Sequence, residues 1–198
     1  MKDTKRQSDL MEPQKWVDLY GDQLYGYAFA RVRNQMVAED LVQETFLAAL
    51  AGGDGFEGRS SEKTWLTAIL KHKIIDYFRK LVRQPMNQFQ DQEEEPDRFF
   101  HENGDWKEKP ERWDIAPDQI LHQKEFWNVF LGCLSELSER LRIAFSLREL
   151  EGLGCDEICK VLGVSSSNCW VMLYRARMLL RRCLGVNWFG GKDVSLDV

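Results

Sequence analysis

Histidine, proline, basic charge and long apolar runs are all scarce in this chain of 198 residues. Its three histidines, His72, His101 and His122, lie far apart, so no histidine spacing suits a metal centre and no nucleophile–base pair appears. No glycine-rich phosphate loop is present either. An enzyme is therefore not expected, and no catalytic residue, cofactor or metal is assigned. No apolar run approaches the roughly 20 residues that a membrane span needs, so membrane insertion is not expected. The start, Met1 to Arg6, leads into no apolar stretch, which argues against a secretory signal and for a cytoplasmic protein. In that setting the five cysteines read as reduced thiols. A net charge of −5 argues against a protein that coats nucleic acid by itself, because phosphate affinity comes from basic charge.

What is present is a globular balance, with 43% hydrophobic, 12% aromatic and 30% charged residues. Charge is unevenly spread. Seven basic residues face three acidic ones from Phe56 to Arg83, whereas twelve acidic residues outnumber five basic ones from Gln84 to Glu125. Four of the five prolines, Pro85, Pro96, Pro110 and Pro117, fall in that acidic stretch, which has no sustained apolar period. It reads as a linker over about 84–118, with Trp106 and Trp113 as docking points. Strand patterning is nearly absent. Helical periodicity predicts helices at about 13–32, 37–51, 61–82, 118–136, 139–151, 155–162 and 166–184. The expected fold is all-α: two small helical domains, 13–83 and 119–185, joined by the acidic linker.

Within the first domain, Leu41, Val42, Thr45, Phe46, Ala49 and Leu50 recur at helical spacing as a core stripe. Asp40, Gln43 and Glu44 share another face, and Glu39 and Asp40 suit a helix's first turn. Alone, this polar face reads as a solvated surface with helpful end charges. A glycine-rich loop over 52–61 follows, and Ser60 or Ser61 can cap the next helix. That helix places Trp65, Leu66, Ile69, Leu70, Ile74, Ile75 and Phe78 against Lys71, His72, Lys73, Asp76, Arg79 and Lys80. Basic residues with exposed aromatics beside a mobile loop suit single-stranded nucleic acid, whose bases stack on rings while cations track the backbone. An ordinary amphipathic helix shows the same pattern.

The second domain carries helix-turn-helix spacing. A short helix ends at Gly163, whose freedom at positive φ suits the turn, and Ser165 can cap the next helix. Ile158, Leu162, Val164, Cys169 and Leu173 supply apolar contacts, and Cys159 supplies a small side chain at the crossing. The second helix can enter a major groove. Arg175, Arg177, Arg181 and Arg182 follow as phosphate contacts. Cys155 and Cys159 share a helix face at i, i+4, a spacing that metal ligands use, yet Cys159 and Cys169 read better as core.

Together the halves resemble the sigma-70 superfamily, specifically the extracytoplasmic-function (ECF) RNA polymerase sigma factors. Ala38–Leu47 resembles the core-polymerase-binding motif and Phe56–Leu66 the promoter-melting segment. Leu147–Leu153, Glu157–Ile158, Leu162–Ser165 and Leu173–Arg177 resemble the C-terminal helix-turn-helix. The tail Asn187–Gly191 resembles one subgroup. The resemblance implies that 13–83 is region 2, which binds the clamp helices of one large polymerase subunit and the minus-ten element. It implies that 119–185 is region 4, which binds the flap of the other large subunit and the minus-thirty-five element. It assigns core polymerase binding to Glu39, Asp40, Gln43 and Glu44. It assigns the minus-ten contact to Phe56, Gly58, Arg59, Ser60, Ser61, Trp65, Lys71, His72, Lys73, Arg79 and Lys80. It assigns the minus-thirty-five contact to Ser166, Ser167, Asn168, Trp170, Val171, Tyr174, Arg175, Arg177, Arg181 and Arg182. Implied partners are core RNA polymerase, promoter DNA and an anti-sigma factor. Departures from the family pattern are His72, Ala68, Trp170 and Met172, the last two standing where the recognition helix usually has lysine and arginine. The acidic linker is expected to thread basic polymerase channels. The competing readings are a stand-alone helix-turn-helix regulator, which leaves the glycine loop and the Asp40–Glu44 face unexplained, and a thiol or metal sensor built on the cysteines.

Overall fold

The computed structural model describes residues 12–52, 56, 58–83 and 124–190; the acidic linker, including Trp106 and Trp113, lies outside the described residues. All regular structure among the described residues is helical. The chain divides into two compact units, Met1–Gln84 and Pro85–Val198.

The first unit packs three helices against one another, α1 (Trp16–Val32), α2 (Gln35–Ala51) and α3 (Glu62–Arg83), with a short 3-10 turn at Pro13–Lys15 before them. The α1–α2 turn takes two residues. Arg33 adopts the left-handed conformation at φ 54° and closes α1 by donating its N–H to the Phe29 carbonyl. Asn34 then caps α2, its Oδ1 accepting from the Val37 N–H at 3.1 Å. At the start of α3, Ser61 Oγ accepts from the Thr64 N–H at 3.2 Å, so of the two candidate caps it is Ser61 that serves. The core gathers Trp16, Leu24, Ala28, Leu41, Leu66, Leu70, Ile74 and Phe78. Thr45 is buried among them, and its hydroxyl donates to the Leu41 carbonyl at 2.7 Å, which satisfies the polar atom.

Leu50 departs from its expected place in the core stripe: it is 57% exposed. At about 100° per residue, position 50 falls on the face of Gln43 and Leu47, and Leu47 is 66% exposed.

The second unit contains α4 (Lys124–Glu136), α5 (Glu139–Phe145), α6 (Cys155–Leu162) and α7 (Ser166–Asn187), with α4, α5 and α6 all packed on α7. The helix expected over 139–151 changes character at residue 146. Ser146–Leu150 forms a π turn in which the Glu151 N–H donates to the Ser146 carbonyl at 3.0 Å. Gly152 at φ 70° then ends the run. Leu134, Leu137, Phe145, Ala176, Leu180 and Leu184 form a shared core under α4 and α7.

The expectation of five reduced thiols does not hold. Cys133 on α4 and Cys183 on α7 form a disulfide with a Cα–Cα distance of 5.7 Å. Side-by-side packing of two helices distant in sequence brings the pair into bridging range. Cys155, Cys159 and Cys169 remain as thiols.

Candidate nucleic-acid interfaces

In the first unit, α2 holds Glu39, Asp40, Gln43 and Glu44 on its exposed side. Glu39 accepts from Gln35 Nε2 at 3.0 Å, and Glu44 Oε2 pairs with Lys73 Nζ at 3.0 Å. The Glu44–Lys73 pair is exposed, so it contributes little to stability; it does place an anion of one assigned surface beside a cation of the other. Leu47 and Leu50 continue the same face as apolar residues in water. A polar stripe that runs into exposed leucines is not what a merely solvated helix face needs.

The loop before α3 is built on Phe56 and Gly58. Gly58 sits at φ 67°, a conformation that side chains rarely adopt. Phe56 is only 7% exposed, with its ring 5.1 Å from that of Trp65. It therefore packs beneath the loop, and its ring face is not offered to a base, contrary to its assigned minus-ten contact. Of Phe56 and Trp65, the two rings assigned to the minus-ten contact, the half-buried Trp65 keeps a partly open ring. Arg59, Ser60, Ser61, His72 and Lys80 are exposed, while Lys71, Lys73 and Arg79 are half-buried. Arg79 is paired with Asp76.

Residues outside those assignments hold this surface in place. Trp16 is 1% exposed, and its ring lies 6.1 Å from Trp65, edge-on, and 6.5 Å from Phe46. Its indole N–H donates to Glu62 Oε1 at 2.9 Å, and the Tyr20 hydroxyl donates to Glu62 Oε2 at 3.1 Å. One carboxylate at the start of α3 thus anchors α1. Burial first, and then the Glu62 carboxylate, push the Tyr20 phenol above its ordinary value. The sequence signal was weak: an acidic residue in a helix's first turn, with its partners 46 and 42 positions away.

In the second unit, α6 ends at Gly163, with φ 67° and its N–H donating to the Cys159 carbonyl at 2.8 Å. Ser165 caps α7, its Oγ accepting from the Asn168 N–H at 3.3 Å. Ser166, Ser167, Asn168, Trp170 and Val171 stand exposed at the N-terminal end of α7, where the helix dipole is positive. Cys169, Met172, Leu173 and Ala176 face the core. Met172, which stands where the family's recognition helix usually has a basic residue, is therefore a packing residue. Tyr174 and Arg175 are half-buried, and burial pushes the Tyr174 phenol upward. Val164 is half-buried rather than core. Arg177 binds Glu149 through Nη2 at 2.6 Å and Nε at 3.1 Å, so a phosphate contact there exchanges one anion for another. Arg181 and Arg182 are half-buried.

Inside the same motif, the Sγ atoms of Cys155, Cys159 and Cys169 lie within 4.8 Å of one another. Cys169 is fully buried, and burial followed by the neighbouring thiols pushes its thiol up to about 12. Cys159, read as core, is half-buried.

A family model described as Sigma-70 region 2 matches residues 16–84, and one described as Sigma-70, region 4 matches residues 128–180. A Haemophilus influenzae protein named "Probable RNA polymerase sigma factor" is 37% identical over 163 residues, 82% of this chain and 84% of that protein. ECF RNA polymerase sigma factor SigX of Bacillus subtilis is 32% identical over 166 residues, 83% of this chain and 79% of that protein. Among solved structures, the sigma factor RpoE in complex with the anti-sigma factor NepR from Bartonella quintana is similar at 25% identity. That match covers 88% of this chain and 97% of that one, with a TM-score of 0.43.

Proposed function

We propose how two helical units share one task, from the premise that the chain belongs to the sigma-70 family as an extracytoplasmic-function (ECF) RNA polymerase sigma factor. It is a transcription-initiation factor, whose partners are core RNA polymerase and promoter DNA. In this reading residues 13–83 bind one large polymerase subunit and the minus-ten element, residues 119–185 bind the other and the minus-thirty-five element, and 84–118 link them. Bond-making stays with the polymerase, and the protein works in the cytoplasm. Among the described residues no helix is long and apolar enough to cross a membrane.

The observation that carries the polymerase-binding assignment is the α2 stripe, where exposed Asp40, Gln43 and Glu44 lead into exposed Leu47 and Leu50. Carboxylates set orientation and encounter rate against a basic surface, and the leucines lose their contact with water on docking. An anti-sigma factor that covered the same stripe would block polymerase by occupancy alone. At the minus-ten element, Arg59, Ser60, Ser61, His72 and Lys80 form the accessible edge, with Trp65 as the stacking ring and Phe56 and Trp16 packed against it. Unstacking a base costs a few kcal/mol, which capture in such an edge offsets. At the minus-thirty-five element, Ser166, Ser167, Asn168, Trp170 and Val171 read the groove, while Arg175, Arg177, Arg181 and Arg182 hold backbone.

The test is run-off transcription and pull-down with core polymerase. Asp40→Arg with Glu44→Arg should abolish core association and transcription while the unit stays folded. Both side chains are exposed, and losing the Lys73 pair costs under about 1 kcal/mol. Core capture at wild-type strength by the double variant refutes the assignment. Duplex promoter binding that needs no polymerase would favour the stand-alone regulator instead.

A further inference from the structure

We propose that Cys155, Cys159 and Cys169 form a site for one soft, thiophilic metal ion, zinc(II) or copper(I), that clips the two helices of the helix-turn-helix together. Cys155 opens α6 and Cys159 lies one turn on, so both sulfurs share a face of that helix. Cys169 comes from α7, four residues after its Ser165 cap. The three Sγ atoms already lie within 4.8 Å of one another. Sulfurs sharing an ion at a metal–sulfur distance of about 2.3 Å sit about 3.8–4.0 Å apart. Small side-chain rotations therefore close the set, with no movement of either helix.

The donor set selects the ion. Among the described residues no carboxylate or imidazole joins the three sulfurs. Hard cations such as magnesium and calcium want oxygen, and an all-thiolate set favours zinc or cuprous ion. Three thiolates complete a trigonal cuprous site. They leave zinc with one further position, for water or an added ligand. Cys169 is fully buried and anchors the site, while the partly exposed Cys155 and Cys159 give the ion a way in. Each thiol that ligates releases its proton to solvent.

The clip crosses the joint of the motif. Gly163, Val164 and Ser165 join α6 to α7, and the sulfurs tie the two helices on their inner sides. Ser166, Ser167, Trp170 and Val171 project away on the exposed side. Metal occupancy would thus set the rigidity of the reading head without touching its contact residues. The site itself does not rest on the promoter assignments, and it is read without polymerase or DNA.

The test uses the full chain, reduced and stripped of metal under anaerobic conditions. One arm titrates zinc chloride, with cobalt(II) as an optical probe; a second titrates cuprous ion against a chromogenic chelator. The expected result is one equivalent held per chain in at least one arm, with a higher thermal midpoint in the loaded protein. The zinc arm should add a thiolate-to-cobalt charge-transfer band, and the stronger arm identifies the ion. Cys169→Ser alters a fully buried position and tests folding as much as binding, so the partly exposed ligands carry the decision. Cys155→Ser and Cys159→Ser should each weaken binding at least tenfold, whereas Cys133→Ser with Cys183→Ser should leave it intact. The proposal is overturned by less than half an equivalent bound in both arms, or by unchanged affinity in the Cys155→Ser, Cys159→Ser double variant.

Discussion

Glu62 gives the sharpest test of how the first unit is held. Its carboxylate accepts from the buried Trp16 indole at 2.9 Å and from Tyr20 at 3.1 Å. Glu62→Ala removes both acceptors. The indole, 1% exposed, then has its donor left without this partner, at a cost of about 1–3 kcal/mol. Tyr20 is half-exposed and can turn to water, so its loss adds at most about 1 kcal/mol. Losing an anion from the first turn of α3 adds about 0.3–1 kcal/mol. The expected total is about 2–4 kcal/mol, a large part of a marginal stability of about 5–15 kcal/mol. For a unit of this size, that lowers the thermal midpoint by roughly 8–32 °C. Glu62→Gln keeps one carbonyl acceptor and should lose less than half as much. Tryptophan fluorescence during urea unfolding reports the change, since Trp16 and Trp65 sit in the affected cluster. Tyrosinate absorbance adds an independent check. In Glu62→Gln the Tyr20 phenol should titrate lower, because burial still raises it but the contribution of the Glu62 carboxylate is gone. The sign of the linkage follows: a raised folded value contributes stability in full below the unfolded value and loses it as pH climbs through the folded one. Wild-type protein should therefore weaken above roughly pH 10. A Glu62→Ala midpoint within the shift of an ordinary surface substitution, about 0.5 kcal/mol, would refute the anchoring role.

His72→Ala should impair promoter opening more than initial binding, as read by permanganate footprinting; normal melting would remove His72 from the minus-ten edge. Asn168→Ala should cost about 1–3 kcal/mol at one base position of the minus-thirty-five element. A uniform loss across a promoter panel would mean that Asn168 reads no base. Substituting Arg182 should weaken all promoters alike and flatten the salt dependence, which filter binding at several salt concentrations measures. Reducing the Cys133–Cys183 disulfide, which closes a sequence separation of 50, should destabilise the second unit by up to about 4 kcal/mol. Alkylation mass spectrometry before and after reduction tracks the bond alongside the urea midpoint.

Much of the fold was legible because helical structure is written locally. A backbone hydrogen bond reaches four residues, so apolar spacing, Ser61 and Ser165 as caps, and Gly163 as a left-handed stop determine where helices begin and end. The helix-turn-helix was legible for the same reason. Its two helices are separated by three residues, and Ile158, Leu162, Cys169 and Leu173 had to meet across the turn. Family-like motifs in both halves likewise needed no long-range contact to be seen.

What tertiary structure decided is which of two plausible faces each side chain turns inward, and which distant groups meet. The family resemblance assigned Phe56 to DNA, and packing against Trp65 buries it. Leu50 looked like core by its nearness to Phe46, but α3 covers the other side of α2 and leaves it in water. Glu62 meets Trp16 across 46 positions, and Cys133 meets Cys183 across 50. The sulfurs of Cys155, Cys159 and Cys169 converge only because α6 folds back on α7. Local pattern states that a residue is apolar, charged or a thiol. Only the close packing of helices distant in sequence determines what it touches.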